Sequence, residues 1–250
     1  MESREKLERI ASRLNELLRP KTFPTGVKLL KNIDEVDGLK KVRRPDEEVA
    51  ICQLISYARL YGWTIAGTAD DNLCPLGEAV LGFVEPPKAL LSGDLFYMRY
   101  QATRKAAKKM ADLIPRIEPG KYSAILAAPL SKFPLDPDLV VIYGNSAQMM
   151  RLIHGMLWKE GGRLNFGSSG EGVCADYIAQ PLVTGDPQLA IPCYGDRRFG
   201  AAQDEELVMG IPYKMMEDVV EGLEKTSKSG TRYPIPTQLS TPKAFLIFKK

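Results

Sequence analysis

The chain has 250 residues, 44% of them apolar and 26% charged, with 34 basic against 31 acidic side chains. That length suffices for one self-supporting core, and a net charge of +3 makes no case for nucleic acid as a partner. No apolar run reaches the roughly 18–20 residues of a membrane span, and the opening MESREKLERIASRLNELL is charged and amphipathic rather than a secretory leader, so a cytoplasmic protein without membrane contact is expected.

Leu7, Ile10, Leu14, Leu17 and Leu18 share one face of a helix predicted over 3–19, which Pro20 helps to end. PTGVKLL (24–30) reads as a strand and 32–46 as a polar loop. The next helix is predicted over 47–62, with glutamates in its first turn, Cys52 inside it and Gly62 as its stop. WTIAG (63–67) reads as a strand, and Asp70, Asp71 and Asn72 as a turn before Cys74, followed by a short helix over 75–83. Pro86 and Pro87 break the chain, and a long helix over 94–114 carries a cationic, solvated face of Arg104, Lys105, Lys108 and Lys109.

YSAILAAPL (122–130) and DLVVIYG (138–144) are nearly continuous apolar runs, as in strands covered on both faces. Asn145, with Gln148 three residues on, predicts the capped start of a helix over 145–162. RLNFG (163–167) reads as a strand, GEGVCADYIAQPL as a short helix, LAIPCYG (189–195) and ELVMGIP (206–212) as strands, 213–225 as a helix and KAFLIFKK (243–250) as a final strand. This irregular alternation favours an α+β (mixed α/β) fold, a single globular unit over 1–250. Weak internal similarity suggests duplicated halves, about 47–115 and 170–227. Each has a cysteine at a helix, a second cysteine further on, and then an apolar stretch with glycine and proline.

The chemistry to explain is in four cysteines, Cys52, Cys74, Cys174 and Cys193, none of them in a C-x-x-C pair. A pseudo-twofold axis between related halves would bring them to one centre. Four thiolates from four segments would then hold a [4Fe–4S] cluster, as metal and cofactor ligands together. The glycines of GSSGEG, Gly170 and Gly172 among them, would let the backbone pass close to such a group or cradle an anion. No Gly-Lys-Ser/Thr follows, so the loop is not a phosphate-binding P-loop. Arg197 and Arg198 in CYGDRRFG would clamp an anionic substrate. The same residues also admit blander readings: four unrelated buried cysteines, a zinc site, or thiol redox with Cys174 as a low-pKa nucleophile. Asp196 would then pair locally in a turn, His154 would be an ordinary helix residue, and the methionines would fill the core. A metal-free small-molecule binding or regulatory protein is the competing function.

At TGVKL, at Cys52 with its helix, at Cys74 with the following LGF, and through PDLVVIYGNSAQMMRL, GVCADYIAQP and IPCYGDRRFG, the sequence resembles the prokaryotic proteins grouped as domain of unknown function 169. The likeness covers roughly 20–230. It implies a protein common in anaerobic bacteria and archaea, a setting in which an oxygen-sensitive iron–sulfur site would survive. The expectation is an iron–sulfur protein of anaerobic metabolism, acting in electron transfer with a redox partner or on an anionic small molecule.

Overall fold

The apolar runs at 122–130 and 138–144 form two strands near the middle of a seven-stranded sheet. In the computed structural model, which describes residues 2–237, these are β4 (Ala124–Pro129) and β5 (Leu139–Gly144), every residue of each buried. Between them in space lies β1 (Thr25–Leu30). β3 (Thr64–Thr68) and β2 (Val42–Arg43) extend the sheet beyond β4, and β7 (Leu207–Pro212) and β6 (Gln188–Ala190) extend it beyond β5. The order is β2-β3-β4-β1-β5-β7-β6, antiparallel throughout except for the β2–β3 pair.

Alternation of side chains along these strands feeds two cores. Ile125, Ala127, Val141 and Tyr143 face one side, whereas Ala124, Leu126, Val140 and Ile142 face the other. Helices α1 (Glu2–Leu18), α6 (Ser146–Met156) and α9 (Met216–Lys228) cover the second side. On the first side lie α2 (Ile51–Tyr61), α3 (Pro75–Val80), α4 (Lys88–Leu91), α5 (Arg104–Leu113) and a π-turn at Ala175–Ala179. The π-turn continues into α7 (Gln180–Thr184), and α8 (Tyr194–Arg198) follows β6. The fold is α+β.

Helices α6 and α9 approach so closely that a Cβ on Gly222 would collide with the Gly155 carbonyl oxygen. Fully buried Arg151 ties the pair together: its Nη2 donates to Leu223 O (3.1 Å), Thr226 Oγ1 (2.8 Å) and Ser227 Oγ (3.1 Å). Arg151→Met keeps the packing of the stem and strands those acceptors, so urea denaturation should show a loss of about 2 kcal/mol.

The order of elements repeats along the chain. β1 is followed by an Asn32-capped 3₁₀ turn, α2 with Cys52, β3, α3 capped by Cys74, then β4 ending at Pro129 and a 3₁₀ turn. β5 is followed by Asn145-capped α6, the π-turn entered from Cys174, β6, α8 capped by Cys193, then β7 ending at Pro212 and a 3₁₀ turn. Outward from the central β1–β5 pair the sheet reads β1-β4-β3 on one side and β5-β7-β6 on the other. This strand order has the form of a twofold relation normal to the sheet between β1 and β5, with β2, α4 and α5 in the first series and α7 in the second having no counterpart. This correspondence pairs β4 with β7 and starts at β1 and β5.

Several predicted elements are shorter or absent. Helix is confined to Arg104–Leu113 within 94–114, because Gly93 and Met98 take positive φ and Thr103 Oγ1 caps α5 by accepting from Ala106 N–H (3.2 Å). Glu47 and Glu48 precede α2; Val49 is instead bridged to Asn72. RLNFG is an exposed loop rather than a strand: Gly161 and Gly162 turn the chain with positive φ and no ladder forms. β6 stops at Ala190, two residues before Pro192, which has no N–H to give a ladder. The loop at 32–46 contains a 3₁₀ turn and β2. The run at 243–250 lies outside the described residues.

Candidate functional site

All four cysteines line one cavity of about 260 Å³ on the first face of the sheet. Each stands at the start of a helical segment. Cys52 is the second residue of α2, and Cys74 and Cys193 are the N-caps of α3 and α8. Cys174 immediately precedes the π-turn. Local hydrogen bonds fix these starts. Val49 N–H donates to Asp71 O (2.8 Å) and Leu73 N–H to Val49 O (3.2 Å), lashing the entry to α2 against the entry to α3. Asn72 Nδ2 donates to Cys74 O (2.8 Å), and Gly77 N–H donates to Cys74 Sγ (3.4 Å). The Cys52 thiol points at Gly195 O (3.9 Å).

Burial pushes all four thiols above the usual range. At Cys174 burial is the main cause, and the charges that Cys74, Cys193 and Cys52 would carry raise it further. At Cys74 the N–H groups of Gly77 and Leu76 oppose the rise, as do those of Val173 and Asp196 at Cys193. All four are free cysteines. Among the described residues no three His, Cys, Asp or Glu side chains are close enough to hold a single metal ion.

Of the other residues singled out in the sequence, Gly172 lines the cavity and Gly170 does not. Neither do Arg197 and Arg198. Arg197 donates to Gln203 O (2.7 Å) and pairs with Asp204 (3.7 Å), and Arg198 lies over the Phe199 ring, 5.4 Å from its centroid. Among the described residues the cavity wall holds no lysine or arginine; its charged groups are Glu171 and Asp196.

Asp196 is fully buried, with Oδ2 accepting from Tyr143 Oη (2.9 Å) and Oδ1 unpartnered among the described residues. Burial pushes its carboxyl up to about 6, against the pull of the Tyr143 hydrogen bond and the Arg59 charge. Behind it, Arg59 stacks 4.0 Å from the Tyr143 ring centroid and pairs with Glu206 (3.2 Å), both side chains almost wholly buried. Arg59 Nη2 and Ser56 Oγ both donate to Gly200 O, which fixes the chain just after α8. Nothing in the local pattern CYGDRRFG separates Asp196 from an ordinary turn aspartate; its signal is long-range, the packing of α8 against α2 and β5. Tyr177 is buried edge-on to Tyr143 at 6.1 Å, whereas Tyr57 stacks with Tyr61 and Trp63 near the surface.

Among the described residues no helix is long and apolar enough to cross a membrane. The chain is similar to Uncharacterized protein MJ0308 of Methanocaldococcus jannaschii, 32% identical over 218 residues, which are 86% of this chain and 92% of that protein. No solved structure matches. The family model of the uncharacterised ArCR proteins, domain of unknown function 169, matches residues 13–222. The chain spanning both cysteine-bearing series of elements thus belongs to the domain of unknown function 169 family.

Proposed function

We propose that this is an electron-carrying iron–sulfur protein whose [4Fe–4S] cluster would be held by Cys52, Cys74, Cys174 and Cys193. The observation that carries the reading is that these four residues, from four separate segments, line a single cavity. The donor set fits: four soft sulfurs are what a cubane requires. A cubane takes each sulfur through its own iron, so its ligands stand farther apart than those of one ion. N–H groups directed at Cys74 and Cys193 would tune such a centre.

Burial also weighs against the thiol-redox reading, which needs a lowered thiol at Cys174 and finds a raised one. A bound metal centre deprotonates coordinating thiols outright. With acidic and, among the described residues, no basic groups on the cavity wall, electron transfer is preferred over anionic substrate chemistry. Exposed Leu73 and Phe199 at the cavity give a redox partner apolar surface to meet. The reducing cytoplasm suits four free thiols.

Protein purified without oxygen is expected to be brown, to absorb broadly near ~400 nm and to carry about four irons and four acid-labile sulfides per chain. Cys174→Ser and Cys193→Ser should each lower the iron content, while Arg197→Ala should leave it unchanged. Colourless, folded protein that stays iron-free after anaerobic reconstitution with iron and sulfide would sink the proposal in favour of a metal-free binding protein.

A further inference from the structure

A second cavity, about 600 Å³, is lined by Asp176 of the π-turn and by none of the cysteines. Its walls come from α5, the loop at 167–169, the π-turn with α7, and β6. Gln188 holds the loop in place: its Nε2 donates to Gly167 O (3.2 Å) and Leu189 O (3.1 Å). Met110, Leu113 and Ile114 supply an apolar side.

The polar side is incomplete. Asp176 is 7% exposed, lines the cavity, and its Oδ2 has no hydrogen-bond partner among the described residues. Gln101 lines the same cavity with its buried Oε1 likewise unpartnered. A buried acceptor left unpaired forfeits its hydration with nothing in return, and here two of them share one cavity. Ser168, whose side chain hydrogen-bonds the Asp176 carboxyl, lines the cavity with Ser169 and Lys109; Asp176 Oδ2 and Gln101 Oε1 still lack a donor among the described residues, and an apolar surface stands beside them.

We propose that this cavity binds a small organic molecule whose N–H-bearing head, of the amine or amidine class, donates to Asp176 Oδ2 and Gln101 Oε1 while its apolar body packs on Met110, Leu113 and Ile114. This is separate from the cysteine site and does not depend on a cluster being present. At Asp176 and Gln101 a carboxylate or phosphate head would set acceptor against acceptor; Lys109, on the α5 wall of the same cavity, is among the described residues the one lining group that would attract such a head, which makes benzoate the decisive control. The π-turn thus serves both cavities: Cys174 at its entrance belongs to one and Asp176 within it to the other.

Titration calorimetry of the full chain in mildly alkaline buffer, with benzamidine as probe and benzoate and benzyl alcohol as controls, tests this. Benzamidine should saturate one site, benzoate should not bind, and benzyl alcohol should bind more weakly. Asp176→Asn should weaken benzamidine about tenfold or more, the weight of one charge-assisted hydrogen bond. Ala106→Trp, at an exposed position of α5 on the cavity wall, should block binding without disturbing the fold; it carries the test alone if Asp176→Asn misfolds. Failure of benzamidine to saturate the wild-type chain, tighter binding of benzoate, or undiminished benzamidine binding in Ala106→Trp would each overturn the proposal.

Discussion

Gly210→Ala is expected to cost the protein at least about 3 kcal/mol and to cut its soluble yield sharply. Gly210 lies in β7 opposite Val141 of β5 and Gln188 of β6, where the sheet passes beneath the π-turn. A Cβ there would run into the carbonyl oxygen of Tyr177, with the carbonyl carbon 2.8 Å away and the Cα at 3.2 Å. Those are backbone atoms, so no rotamer change relieves the clash. The π-turn would have to lift, and Cys174 and Asp176 would lift with it. Thermal unfolding followed by circular dichroism checks the stability. In whatever fraction folds, iron retention and benzamidine affinity should both fall, because one rigid turn serves both cavities. An alanine variant with unchanged melting would mean that the turn does not press on β7.

The second large effect is expected at Arg59. Its guanidinium and the Glu206 carboxylate are 1% and 5% exposed, so Arg59→Met leaves a buried charge without its partner, at a cost of about 3–5 kcal/mol. The double variant Arg59→Met/Glu206→Gln removes both charges. It keeps an acceptor for the Gln203 N–H, which donates to Glu206 Oε2 at 2.9 Å. Most of the loss should return. Urea denaturation of the two single variants and the double variant gives the coupling directly. If the double variant is as unstable as Arg59→Met, the stacking of Arg59 on Tyr143 and its bond to Gly200 O matter more than the ion pair.

Much of the architecture was legible because it is local. Continuous apolar runs announce β4 and β5, Gly62 ends α2 in a left-handed turn, and the Asn145–Gln148 capping box opens α6. Where sequence reasoning overreached, a local rule met a competing one. The apolar residues at 94–103 suited a helix, yet Gly93 and Met98 turn the backbone there. RLNFG had too little apolar surface to earn a place in the sheet. The four cysteines were conspicuous as residues, but their common cavity depends on β1 inserting between β4 and β5 and on which face each helix covers. Asp196 and Arg59 were illegible for the same reason. Their partners are 53 and 147 residues away along the chain, and only the folded sheet brings them together.

The mirrored sequence of elements has a consequence for assembly. Each series contributes one sulfur at a helix entrance and one at the cap of a short helix, so neither can furnish a complete tetrad alone. An inorganic centre seated there would act as a clasp between the helix entrances of two moieties that also meet along β1 and β5 and through Arg59 and Glu206, and its removal would loosen those entrances first. Hydrogen exchange after chelation should accordingly rise at the mouths of α2, α3 and α8 before it rises in the strands.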